Sequence, residues 1–196
     1  MIVIIDSGGA NIASVKFALE RLGVGSKLTN DINVIRSADK VILPGVGTAP
    51  VAMQRLASAG LIDCIRTLQQ PVLGICLGMQ LLFSHSTEGD TPLLGLFEAT
   101  CTAFTPTSLR SVPHMGWNRL FFQQEHPLLA GVDNGAHVYF VHSYFAPLIT
   151  QTIAECSYGD DFTAIVGNNN FMGCQFHPER SGSVGARILQ NFLEMT

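Results

Sequence analysis

The chain has 196 residues, 47% of them hydrophobic and 13% charged, with a formal net charge of −4. That length suits one domain over residues 1–196, and the apolar content suits a core buried on both faces of a sheet rather than a disordered chain. No basic run is present to neutralise a phosphate backbone, which excludes a general nucleic-acid binder but not a single phosphorylated metabolite.

The opening MIVIIDSGG has neither a basic region nor an apolar stretch of signal-peptide length, so it reads as a first strand. No uninterrupted apolar run approaches the ~20 residues needed to cross a bilayer, so no membrane partner is expected. Five cysteines, at 64, 76, 101, 156 and 174, form an odd, widely spaced set with no CxxC pair. That pattern argues against a disulfide framework or a zinc site and for a reducing, cytoplasmic location; no metal and no cofactor is expected.

In chain order, 2–6 reads as a buried strand, followed by a Gly-rich turn and an amphipathic helix over 11–22. A short strand at 41–43 runs into the loop Pro44-Gly45-Val46-Gly47, and helical patterns follow at 49–57 and 61–68. The strand 72–75 leads through a sharp turn at Cys76 into a helix over 78–83. Between 100 and 166 several strands, such as 138–141 and 152–156, are joined by short turns. The segment 171–176 is a further strand and 183–193 a closing helix, with Gly182 helping to start it. Continuous apolar strands separated by helices predict an α/β fold: an open, mainly parallel sheet with helices on both faces, plus antiparallel additions.

The sharpest local signal is Gly74-Ile75-Cys76-Leu77-Gly78, a G-x-nucleophile-x-G elbow with Cys in place of Ser. Small residues are needed on both sides because the nucleophile sits in a strained turn, where a neighbouring Cβ would strike the strand or the helix. The turn sets the sulfur at a helix N-terminus, whose positive end favours the thiolate, and aims the Leu77 N–H where an oxyanion would form. By itself this pentapeptide is also compatible with redox cysteines and other hydrolases. A cysteine nucleophile needs a base and the base an orienting carboxylate; Gln175-Phe176-His177-Pro178-Glu179 supplies both at the end of a strand. A surface His-Pro-Glu turn is the bland alternative, and it loses because the elbow lacks a partner otherwise.

With GICLGMQ at 74–80 and QFHPE at 175–179, the chain resembles the class I (triad) glutamine amidotransferases. The resemblance implies that family's flavodoxin-like three-layer sandwich. It also implies a glutaminase in which Cys76 attacks the side-chain amide of glutamine, His177 shuttles protons, Glu179 orients His177, and Gln80 helps hold the substrate. PGVGTA at 44–49, PHMGWN at 113–118, YFVHSY at 139–144 and QFHPERSG at 175–182 are similar to the branch serving imidazole glycerol phosphate synthases in histidine biosynthesis. The anthranilate and aminodeoxychorismate branches usually carry His where this chain has Met79 and lack the Gly-Trp-Asn element.

The branch implies that residues 45–47 (Gly45, Val46, Gly47) form a mobile loop able to turn an N–H into the oxyanion hole beside Leu77. It implies that His142, Ser143 and Tyr144 line the glutamine pocket, largely by backbone contacts. Asn11, Trp117, Tyr139 and Arg180 would face the partner, a (β/α)8 barrel cyclase that receives the ammonia within a heterodimer. Ser7 stands where the branch usually has an aromatic residue, and Arg180 replaces the more frequent Lys, keeping the charge but altering its geometry.

Without that resemblance, a single Trp such as Trp117 reads as core more often than interface. Cys64, Cys101, Cys156 and Cys174 read as small buried hydrophobes. Strand alternation puts Cys174 and Phe176 on one face and Gln175 on the other. His85, His126 and His137 suggest no role, and His114 reads as lying in a loop; the resemblance implies that it is structural, near the interface. The 6–11 turn fails both G-x-G-x-x-G and Walker spacing, which excludes a nucleotide site there. A non-catalytic regulator would show a broken triad, and a DJ-1-like relative would carry His where Leu77 stands.

Overall fold

A computed structural model describes residues 1–6, 12–108 and 110–195. The elements run β1 (Ile2–Ile5), α1 (Ile12–Arg21), β2 (Ser26–Thr29), α2 (Ile32–Arg36), β3 (Lys40–Gly45), α3 (Ala49–Ser58), α4 (Leu61–Arg66), β4 (Val72–Cys76) and α5 (Leu77–Gln80). Then come β5 (Phe83–Ser86), β6 (Thr91–Pro92), β7 (Phe97–Ala103), β8 (His114–Arg119), β9 (Phe121–Phe122), β10 (His137–His142) and β11 (Tyr144–Phe145). The chain closes with β12 (Thr152–Ser157), β13 (Asp161–Asn168), β14 (Phe171–Cys174) and α6 (Gly182–Glu194).

The main sheet has eight strands in the order β2-β1-β3-β4-β14-β13-β12-β9. Pairings from β2 through to β14 are parallel, and β14-β13, β13-β12 and β12-β9 are antiparallel. This is the expected parallel sheet with antiparallel additions. Alternation along each central strand feeds two separate cores. Ile2, Ile4, Ile42, Leu73, Ile75, Met172 and Cys174 pack on one face with α1 and α6, while Val3, Ile5, Val41, Leu43, Val72 and Phe171 pack on the other with α2, α3 and α4. Helix α1 buries Ile12, Val15, Ala18 and Leu19, the i, i+3, i+6, i+7 stripe that its sequence displays. Helix α2 starts where the Asp31 side chain accepts the Asn33 N–H at 2.8 Å, a local N-cap.

Beyond the main sheet, β10 pairs with β8 as a two-stranded antiparallel ribbon, and β11-β7-β5-β6 make a small mixed sheet. Two expectations need correction. The helix predicted over 78–83 stops at Gln80: Leu81, Leu82 and Phe83 are fully buried, and Phe83 opens β5, paired to Phe97 of β7. A short apolar run does not by periodicity distinguish helix from strand, and packing decides. His114 is not in a loop but is the first residue of β8, paired with His142.

Candidate active site

Three adjacent parallel strands, β3, β4 and β14, end side by side. Gly45 lies opposite Cys76, and Ile75 opposite Cys174. The loop after β3, the elbow after β4 and the turn after β14 therefore gather at the carboxyl edge of the sheet, where ligands of such sheets bind.

Cys76 closes β4 with φ +56°, a left-handed backbone for a residue with a side chain. Such a conformation costs ~1–3 kcal/mol and persists only where the surroundings fix it. The flanking glycines show what fixes it. A Cβ on Gly74 would lie 2.6 Å from the Gly78 carbonyl oxygen, and one on Gly78 would lie 1.9 Å from the Leu43 oxygen. Helix α5 thus sits directly on β3 and β4 and leaves no room for a side chain. Gly45 belongs to the same contact, because its Cβ would meet the Gly78 nitrogen at 2.3 Å. Of residues 45–47, Gly47 is the conformationally open one, with φ +89° and nothing around its Cβ position.

The buried His177 follows β14, and its Nδ1 lies 2.8 Å from Glu179 Oε1. A carboxylate can only accept, so Nδ1 carries the proton and Nε2 faces the sulfur, to which the ring is hydrogen-bonded. Burial favours the neutral ring, but the hydrogen bonds that His177 donates to Cys76 and Glu179, with the charges of those two groups, outweigh it and raise the imidazolium pKa to about 10. The Cys76, His177 and Glu179 arrangement expected from the sequence is therefore assembled, although these residues come from two strand ends separated by some hundred positions of chain.

A closed set of bonds holds the His177 backbone. Its N–H donates to the Tyr139 oxygen at 2.9 Å, the Ser181 hydroxyl donates to the His177 oxygen at 2.7 Å, and the Tyr139 N–H donates to Ser181 Oγ at 2.9 Å. From the same strand β10, the Val141 oxygen lies 3.7 Å from Cys76 Sγ.

Two concavities meet at the sulfur. One, of about 260 Å³, is walled by Leu77, Gln80, Glu88, His142, Ser143 and Tyr144. The other, of about 400 Å³, is bounded by Gly45, Val46, Gly47, His177 and Arg180. A wider cleft, of about 460 Å³ beside Phe122 and His126, has no nucleophile on its walls, so the chemistry belongs to the smaller pair. Gln80, His142, Ser143 and Tyr144 fall in one concavity and Arg180 in the other. Glu88 was not legible as a site residue: it lies in a polar turn with no motif, and its carboxylate accepts the Ala49 N–H at 2.7 Å while reaching the pocket wall.

A buried polar chain runs beneath the first concavity. Asn118 Nδ2 lies 3.3 Å from His114 Nε2, His114 Nδ1 2.9 Å from His142 Nε2, and His142 Nδ1 2.8 Å from the Tyr144 oxygen. The carbonyl end can only accept, so each imidazole is neutral with its proton on Nδ1. Burial lowers the His114 pKa to about 4 and, against the raising hydrogen bond to the Tyr144 oxygen, that of His142 to about 3.

Trp117 is 56% exposed, so it is not a core residue. It pairs across the ribbon with Tyr139, ring centroids 6.0 Å apart, on the strand that also exposes Met115. Asn11 and Ser7 lie outside the described residues. Cys64, Cys101, Cys156 and Cys174 are all buried and unbridged. Among the described residues no group of His, Cys, Asp or Glu is placed to hold a metal ion, and no helix is long and apolar enough to cross a membrane.

Comparison with known proteins agrees with this geometry. The imidazole glycerol phosphate synthase subunit HisH of Xylella fastidiosa strain Temecula1 is 56% identical over 194 residues, covering 99% of this chain and 97% of that protein. Its counterpart in Xanthomonas euvesicatoria pv. vesicatoria is 53% identical over 195 residues, covering 100% and 98%. Among solved structures, a glutamine amidotransferase superposes with a TM-score of 0.75 at 20% identity, over 98% of this chain and 97% of that one. The PurLQS structure from Thermotoga maritima gives 0.72 at 20% identity, over 98% and 96%. At those identities the structures speak for the fold alone. The class-I glutamine amidotransferase profile matches residues 3–195, and with relatives more than half identical along the whole chain, this protein belongs to the class-I glutamine amidotransferase family.

Proposed function

We propose that the chain is the glutaminase subunit of an imidazole glycerol phosphate synthase, working in the cytoplasm as a heterodimer with a (β/α)8 barrel cyclase. The observation that carries this reading is the strained Cys76 hydrogen-bonded to a His177 that Glu179 orients, in a chain more than half identical to HisH subunits.

In the reaction, the Cys76 sulfur attacks the side-chain carbonyl carbon of glutamine. The oxygen takes the negative charge, opposite the Leu77 N–H and an N–H from residues 45–47. His177 then gives its Nε2 proton to the amide nitrogen, the C–N bond breaks, and ammonia leaves from a thioester. A water molecule, deprotonated by the now neutral His177, attacks the thioester; glutamate departs, and the sulfur anion and imidazolium are restored. The smaller concavity takes glutamine, with Gln80, His142, Ser143 and Tyr144 on its wall and the Glu88 carboxylate available to its ammonium group. The second concavity, at His177 and Arg180, is the way out for ammonia toward the partner. Asn11, Trp117, Tyr139 and Arg180 are the residues proposed to face that partner, where the ammonia meets a phosphoribulosyl formimino carboxamide ribonucleotide.

Gly47 gives the oxyanion loop the freedom to withhold its donor until the partner is docked. One such donor is worth ~3–4 kcal/mol, or several hundred-fold in rate. Glutamate release by the purified chain, alone and with a barrel cyclase and its nucleotide, is the test. Slow release alone and a rise on the order of a hundredfold in the mixture are expected, with both lost in Cys76→Ala. Release in the mixture that survives Cys76→Ala would refute the assignment of the nucleophile. Coupling instead to another synthase, of the anthranilate or aminodeoxychorismate type, would refute the branch.

A further inference from the structure

Gln175 stands one residue after β14 and is fully buried, with no part in the proton transfers above. Its orientation is dictated from a distance. The Tyr144 oxygen is a pure acceptor, so the Gln80 amide must present Nε2 to it, at 2.7 Å. The second N–H of that nitrogen reaches Gln175 Oε1 at 2.9 Å. With its oxygen so engaged, Gln175 turns its own Nε2 toward Cys76 Sγ, 3.9 Å away. A backbone carbonyl thus fixes two amides in series and leaves an N–H aimed at the sulfur.

We infer that Gln175 is a further catalytic residue, donating its side-chain N–H to the anionic sulfur of Cys76. The inference rests on the glutaminase reading for what the sulfur does, but the contact itself is independent of glutamine. Glu179, through His177, fixes one partner of the sulfur; Gln175 provides another, its Nε2 3.9 Å from Sγ. The charge on sulfur disappears when the thioester forms and returns when water cleaves it. A donor that stays in place through both steps favours the resting anion and its departure as leaving group. The same chain joins the sulfur to the wall of the glutamine concavity, because Gln80 lies on that wall. A glutamine pulling on Gln80 is therefore felt at the nucleophile through a single intervening side chain.

Iodoacetamide alkylation of the free chain tests this, since sulfur displaces iodide without glutamine or partner. The other four cysteines are buried, so the rate reports Cys76. Gln175→Glu keeps the shape and the acceptor for Gln80 while replacing the donor by an acceptor; Gln175→Met removes both. Hydrogen bonds to charged groups correspond to tenfold or larger effects. Alkylation at neutral pH is expected to slow about tenfold or more in each variant, with the onset of reactivity moved to higher pH. Coupled glutamate release should fall in kcat more than in KM. A Gln175→Glu protein with native circular dichroism and melting that alkylates at the wild-type rate, with the wild-type pH profile, overturns the assignment. Wild-type protein decides independently of folding in either variant: the Gln175 side-chain amide resonances must shift when Cys76 is alkylated, and signals that stay put overturn it too. Failure of glutamate release with the cyclase, alongside slowed alkylation in the variants, would instead count against the glutaminase reading and leave the contact standing.

Discussion

At the scale of single residues, the site combines titrating groups of opposite sign. His114 and His142 are buried neutral, with pKa values lowered from 6.5 to about 4 and about 3. Unfolding lets them bind protons near 6.5, so their contribution to stability is complete above that pH and is lost as the pH falls toward 4 and 3. His177 runs the other way: its pKa is raised from 6.5 to about 10, so the stability it contributes is present below 6.5 and fades as the pH climbs toward 10. Urea denaturation across pH 4 to 6.5 should therefore show stability falling steeply with acid in the wild type and less steeply in His114→Phe, which removes one of the two proton-binding groups. An unchanged slope would mean that His114 is not neutral in the fold. The tautomers in this chain were beyond the reach of sequence: His114 and His142 are 28 positions apart and meet only because β8 and β10 pair in one register.

At the scale of elements, the segments with strong periodicity were legible. Strands Ile2–Ile5, Lys40–Gly45 and Val72–Cys76 and helices Ile12–Arg21 and Gly182–Glu194 lie where their apolar spacing puts them. Ser26–Thr29 was not legible, because an edge strand reading Ser-Lys-Leu-Thr carries no alternating apolar face. Nor were the two-residue strands β6, β9 and β11, which exist only through their partners. The elbow was legible in full, glycines included, since a strained turn demands them. The seating of α6 was not. A Cβ on Gly185 would lie 2.0 Å from the Pro178 oxygen, so this helix packs backbone to backbone against the turn bearing Glu179. Gly185→Ala should push that turn away. We expect a loss of ~1–3 kcal/mol in thermal stability, the usual range for overpacking, together with a fall in kcat as Glu179 loses its hold on His177. Ordinary helix propensity predicts the reverse, a gain of roughly 0.5–1 kcal/mol from replacing a mid-helix glycine, so a melting curve discriminates between the two.

At the scale of the whole molecule, the exposed face of β8, with Met115 and Trp117, is an apolar patch that the isolated chain leaves in water. If the partner covers it, Trp117→Ala should weaken association by about 2 kcal/mol, some thirtyfold in Kd, while leaving the melting temperature of the free chain unchanged. Titration calorimetry with the cyclase measures the first and calorimetric melting the second. Family membership was legible in the motifs, whereas the juxtaposition of patch and chemistry was not, since it depends on β14 slotting between β4 and β13. Strand β10 is the element that joins them. One of its edges pairs with the strand carrying Trp117, and the other places the Tyr139 and Val141 carbonyls against His177 and Cys76. An insertion or deletion of one residue in those six would turn its outward side chains inward and at the same time exchange which carbonyl meets which catalytic group. Lineages are then free to change docking by replacing side chains along the strand, but not by altering its length, and the ribbon should be found gap-free wherever the triad is kept.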